Sequence, residues 1–223
     1  MEWIANNSDQ VPQMQEIPLG MEDREESHAT REKQQDIINP PARLTDQVPP
    51  KADTLLTILQ RYPIMWQGLL AVKNNTAASQ MHYLTGDQDV AREALAPNPD
   101  GTIPPLKISQ RMRLEEAHLM EVAARMQMPR EHCVLLALPC GRDREDVLRQ
   151  CKNLRCQFIT YFQLKDAAGI ANIPCPRTGF TKFVVHLIPA DCGFVREYLR
   201  TKFPDLLHAV REIPYLLVVI GRG

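Results

Sequence analysis

The chain has 223 residues, 44% of them hydrophobic and 24% charged, with a formal net charge of −1. This is enough apolar material for a sizeable core, and no apolar run approaches the roughly 18–20 residues of a membrane helix. Its six cysteines show no CxxC or paired-knuckle spacing, so a soluble protein of the reducing cytosol or nucleus with free thiols is expected, with no metal and no cofactor.

The charge is unevenly divided. Residues 1–50 hold ten acidic and four basic residues, while residues 51–223 hold seventeen acidic and twenty-two basic ones. An acidic leader rich in Gln and Pro, without sustained periodicity, reads as a disordered arm over residues 1–51. A mildly basic folded domain is expected over 52–223.

Taken in order, Leu55, Leu56, Ile58 and Leu59 give a short helix its apolar side, ended by Tyr62-Pro63. Ile64–Val72 reads as a buried strand containing Trp66, followed by a turn at Lys73-Asn74-Asn75 and a second strand over 78–85. A weaker segment at 91–95 leads into a Pro-rich loop over 96–105. Then Leu106 to Leu114 alternates with a period of two. Leu106, Ile108, Met112 and Leu114 fall on one side; Lys107, Ser109, Arg111 and Arg113 fall on the other. A row of three cations with no intervening acid suits a carboxylate-rich or phosphorylated partner, although charges on a strand also serve simply to keep an edge soluble.

Glu115-Glu116 open a helix whose inner face is Leu119, Val122, Ala123 and Met126. Residues 133–138 are apolar throughout and read as a central strand. A long helical region from Arg144 to Ala168, in two pieces, is expected to close at Gly169. Within it Tyr161 and Lys165 stand at i, i+4, either as an aromatic-plus-cation pair or as a core-facing Tyr with a snorkelling Lys. Strand 183–188, with His186 half exposed, helices 194–202 and 205–211, and strand 216–220 complete the domain. About seven strands mixed irregularly with five to seven helices predict an α+β fold. The expected form is a mixed, distorted seven-stranded β-barrel decorated with helices, in place of a doubly wound sheet.

Enzymatic signatures are lacking. No Gly-rich phosphate loop, GxSxG, HExxH or EF-hand pattern occurs, and the six histidines are scattered. Cys133 reads as core filling and Cys140 as a structural thiol. The chain reads as a non-enzymatic binder.

Several blocks then become recognisable in order. Tyr62-Pro63-Ile64-x-Trp66-Gln67-Gly68-Leu69-Leu70-x-x-Lys73-Asn74 resembles the opening of the SPOC domain of the Split ends (SHARP-type) transcriptional corepressor family. Pro104-Pro105-Leu106-Lys107-Ile108-x-Gln110-Arg111-Met112-Arg113-Leu114-Glu115 resembles that family's basic strand. Residues 135–143 resemble its central strand and turn, and residues 158–170 its later helix. The resemblance covers about residues 53–223. It implies a β-barrel of about seven strands and a non-enzymatic nuclear role in transcriptional repression, by docking acidic or phosphoserine-containing tails of SMRT/NCoR-type corepressors. It also implies that the phosphopeptide-binding residues are Lys73, Lys107, Arg111 and Arg113, with Tyr161 and Lys165 beside them. Position 107 is usually Arg in close relatives; Lys keeps the charge and loses the bidentate fork.

The alternative from a different class is a nucleic-acid-binding barrel using the same cations. It predicts interleaved aromatics and a stronger basic balance; Ile, Gln and Met stand between the cations here, and the domain carries a net of only +5. The arm has no aromatic β-platform of the RNA-recognition type, so RNA binding is not expected of this chain, and neither is a membrane partner.

Overall fold

A computed structural model describes residues 52–223; the acidic arm expected over 1–51 lies outside the described residues. Helix α1 (Ala52–Leu59) precedes the hairpin of β1 (Ile64–Val72) and β2 (Asn75–Gly86). Helix α2 (Gln88–Ala94) follows, begun by Asp87, whose carboxylate accepts from the Asp89 N–H at 2.9 Å. Next come β3 (Leu106–Ile108), β4 (Gln110–Arg113), α3 (Glu116–Arg125) and β5 (His132–Pro139). Helix α4 (Arg144–Asn153) runs through a wider π-wound turn (Leu154–Ile159) into α5 (Thr160–Leu164). Strands β6 (Ala167–Pro174) and β7 (Thr181–Pro189), helices α6 (Gly193–Lys202) and α7 (Pro204–Ala209), and strand β8 (Leu216–Arg222) complete the fold.

The strands form one sheet in the order β3-β1-β2-β5-β8-β7-β6-β4, antiparallel except for the β1/β3 pair. Its two edges, β3 and β4, are consecutive in sequence and separated by Ser109 alone, whose N–H donates to the Ile170 carbonyl at 3.0 Å. The predicted basic strand is therefore the seam that brings the two edges of the sheet together. Counting its halves as one strand gives the expected seven.

Central strands are apolar throughout because both faces are covered. Along β5, Cys133, Leu135 and Ala137 join one core with Trp66, Leu70, Met81, Phe158, Phe162 and Phe183. Val134, Leu136 and Leu138 join a second core with Val122, Val195, Leu199 and Leu206 from the outer helices. β8 alternates in the same way, with Leu216, Val218 and Ile220 in the first core and Leu217 and Val219 in the second.

Three expectations require correction. The helix expected to reach Ala168 stops at Leu164; Asp166 takes a left-handed φ of 45°, and Ala167 already begins β6. Ala167, Ala168 and Gly169 mimic a helix end in sequence, but here the two alanines are buried in the strand and Gly169 makes room for Phe162 and Ile108. His186 is buried rather than half exposed, because β7 is paired on both sides and Arg125 of α3 lies near this face. Finally, the face alternation of the basic strand reverses at its break. Leu106 and Ile108 enter the first core, whereas Met112 and Leu114 pack against the second, and Ser109 and Gln110 are exposed in succession. One extra residue at the seam turns the strand over, as a bulge does.

The π-wound turn has a packing reason. In an α-helix a residue four positions on is rotated by about 40°, so a four-residue apolar repeat drifts off its face. The wider winding over Leu154–Ile159 takes up that drift. Leu154, Phe158 and Phe162, spaced by four, are all 0% exposed.

Candidate functional site

Lys73 and Asn74 form the two-residue turn between the paired residues Val72 and Asn75. Lys73 holds a left-handed φ of 52°, a conformation costing a non-glycine residue roughly 1–2 kcal/mol. Its ammonium lies 5.3 Å from the ring centroid of Tyr161, and the Arg111 guanidinium carbon lies 5.8 Å from the same ring. Two cations from distant parts of the sequence thus approach one aromatic ring at cation–π range.

Each partner has a structural reason for its place. Arg111 stands opposite Gly169 in the β4/β6 ladder, and directly paired residues project to the same face. The position that a Gly169 Cβ would take lies 2.6 Å from Phe162 Cζ, so this face is the one that α5 packs against. Phe162, fully buried, anchors α5. Tyr161, its neighbour, is half-buried at the edge of the first core, with the two rings 5.6 Å apart.

The remaining expected residues are distributed around this centre. Arg113 is exposed on β4, its Nη1 3.4 Å from Glu115 Oε1; with side chains 80% and 55% exposed, that pair is readily exchanged for another anion. Lys165 follows the last residue of α5 and is exposed, but the cations over the Tyr161 ring are Lys73 and Arg111. Lys107 belongs to β3, before the reversal at Ser109, and lines an adjoining groove. The expected single row is therefore a cluster of Lys73, Arg111 and Tyr161, with Arg113 farther along β4 and Lys107 on the other half of the seam. Among the described residues, no carboxylate lies within ion-pair distance of Lys73, Lys107, Arg111 or Lys165. Like charges brought together without acids repel one another and favour an incoming anion.

The buried thiols are chemically quiet. Burial pushes the Cys133 thiol up to about 12 and raises that of Cys140, which also accepts from Gln67 Nε2 at 3.7 Å. Both remain protonated at neutral pH, as structural cysteines do. Among the described residues, no group of three or more His, Cys, Asp or Glu side chains is placed to hold a metal.

The SPOC domain family model matches residues 56–223. This chain belongs to the SPOC family. The chain is 51% identical over 182 residues to Protein split ends of Drosophila melanogaster, covering 82% of this chain and 3% of that one. It is 46% identical over 174 residues to the mouse Msx2-interacting protein, covering 78% and 5%. Human RNA-binding protein 15 is 32% identical over 177 residues, covering 72% and 17%. The chain thus spans a small fraction of these relatives' length, and the family read from the sequence motifs is borne out. The family resemblance already set Tyr161 beside Lys73 and Arg111; what the residues of this SPOC domain do not show by themselves is that both cations meet the Tyr161 ring directly. Residues 73, 111 and 161 carry no shared spacing that could have revealed it.

Proposed function

We propose that this SPOC domain is a non-enzymatic adaptor in transcriptional corepression, acting in the nucleus. In this reading it docks acidic or phosphoserine-containing peptides, of the SMRT/NCoR corepressor-tail type, on the surface formed by Lys73, Arg111 and Tyr161. Arg113, Lys107 and Lys165 supply further charge around it. The observation that carries the reading is the convergence of two cations on one aromatic ring without a described carboxylate to neutralise them.

A phosphoserine brings about −1.5 to −2 charges and three acceptor oxygens. Contact with the ring is electrostatic and uses no acceptor oxygen, so both cations keep N–H donors for a phosphate. Each charge-assisted hydrogen bond is worth on the order of 1.5–3 kcal/mol. Arg111 contributes a planar fork for two phosphate oxygens, whereas Lys73 acts as a point charge. A short peptide loses chain entropy on docking, so the phosphate decides whether binding is weak or firm.

Fluorescence anisotropy of an acidic corepressor-tail peptide, with and without one phosphoserine, tests this against wild type and the Arg111→Ala/Arg113→Ala variant. Tighter binding of the phosphorylated peptide, lost in the variant, is expected. Equal binding by both proteins, or firm binding of nucleic acid with a steep salt slope and none of peptide, would sink the reading.

A further inference from the structure

A groove of about 800 Å³ opens beside the candidate site, where strand pairing across the seam stops. β3 pairs only with β1, and β6 pairs with β4 only as far as Ile170, so the stretch from Asn172 to Pro174 faces β3 across a gap. Its walls include Trp66, Leu95, Pro105, Ile173 and Phe183, with Lys107 among the lining residues. The indole of Trp66 reaches this place because residue 68 is glycine: a Cβ there would come within 2.6 Å of Trp66 Cζ2.

The charges around the groove are unequal. Lys182 and Arg222 are both paired with Glu93, whereas Lys107 has no carboxylate partner among the described residues. An apolar trough with one uncompensated cation selects an acidic chain bearing an apolar side chain. Lys107 is four residues from Arg111, and four residues of extended backbone span at most about 13 Å. The groove and the Lys73–Arg111–Tyr161 cluster therefore lie within reach of one short extended peptide.

We infer that this groove is a second subsite of the same surface. It takes an aromatic or large aliphatic side chain about four residues from the phosphoserine, while Lys107 meets an acidic residue between them. The inference rests on the proposed peptide-docking function and specifies its ligand: a bipartite motif with an anionic anchor and an apolar one.

The test uses the full chain, an acidic phosphoserine peptide with Phe four residues from the phosphate on either side, and the same peptides with Ser replacing Phe. The protein variant is Ala96→Arg, an exposed groove position. This substitution adds a cation, which by charge alone would tighten an acidic peptide, so a loss of affinity reports the apolar contact. In one chain direction the Phe peptide should bind wild type on the order of ten-fold tighter than its Ser counterpart. Ala96→Arg should remove that advantage and leave the Ser peptide bound as well as before or better. Equal affinity of Phe and Ser peptides in both directions, with binding still dependent on Arg111, overturns the groove and spares the phosphate site. Loss of the phosphate and Arg111 dependence overturns both.

Discussion

The Cβ that Gly169 lacks would lie 2.6 Å from Phe162 Cζ and 2.9 Å from Ile108 Cγ2. One absent methyl group therefore lets α5, β6 and β3 meet, and Tyr161 is placed by that meeting. Gly169→Ala is expected to destabilise the domain by about 1–3 kcal/mol through overpacking. It should lower the melting temperature and weaken phosphopeptide binding together, since Tyr161 moves with Phe162. Unchanged melting with unchanged affinity would refute the packing account.

The ring of Tyr161 acts through its face, so Tyr161→Phe should bind an acidic phosphopeptide within about two-fold of wild type. Tyr161→Leu retains bulk but lacks the quadrupole, and should lose about 0.5–2 kcal/mol of binding. A leucine variant indistinguishable from phenylalanine in a titration would show that the two cations need no aromatic support.

Acid stability depends on Asp146. Its carboxylate accepts from Gln150 Nε2, the Arg142 N–H and Arg149, and the amide of Gln150 in turn accepts the Ala78 N–H at 2.9 Å, tying α4 to β2. These bonds, led by that from Gln150, hold the pKa of Asp146 down at about 2. A carboxyl lowered in the fold stabilises it above its ordinary pKa near 4, and that contribution fades as pH falls from there toward 2. Urea denaturation should show stability falling over this interval in wild type, and a shallower fall in Asp146→Asn. Parallel curves would count against the assignment.

Histidines shape the milder range. Burial lowers the pKa of His82 and of His186. His82 donates from Nδ1 to the Tyr62 carbonyl at 2.8 Å, and its Nε2 lies 3.0 Å from Gln80 Nε2, from which it accepts. The neutral ring is thus the one that fits. The unfolded chain binds these protons more readily, so stability is present above about pH 6.5 and declines as pH falls below it. Denaturant midpoints at pH 7.5 and 5.5 should differ in that direction, and His82→Gln should reduce the difference.

Ser79 is fully buried on β2, and its hydroxyl has no hydrogen-bond partner among the described residues. Ser79→Ala removes an unpaired polar atom and leaves little space, so chemical denaturation should find it neutral or more stable by up to about 1–3 kcal/mol. Clear destabilisation would mean that the hydroxyl is satisfied in solution.

Much of this architecture is legible locally. The bounds Ile64–Val72 hold to the residue, and residues 133–138 declare a strand covered on both faces by having no polar position. The alternation around Arg111 marks a strand, and the ordered SPOC blocks identify the family. These signals are short-range: period, apolar content and turn chemistry are properties of neighbouring residues. The turnover at Ser109, the assignment of Ala167–Gly169 to β6 and the convergence of Lys73 and Arg111 on Tyr161 have no such signature. They arise when the two ends of the sheet must meet, because closing a twisted sheet sets register and crowding between residues far apart in the chain. Sequence alone determined which strand carries the charge. The nearly closed sheet decided that Arg111 of that strand meets the same ring as Lys73, and that Lys107 lines the groove beside it.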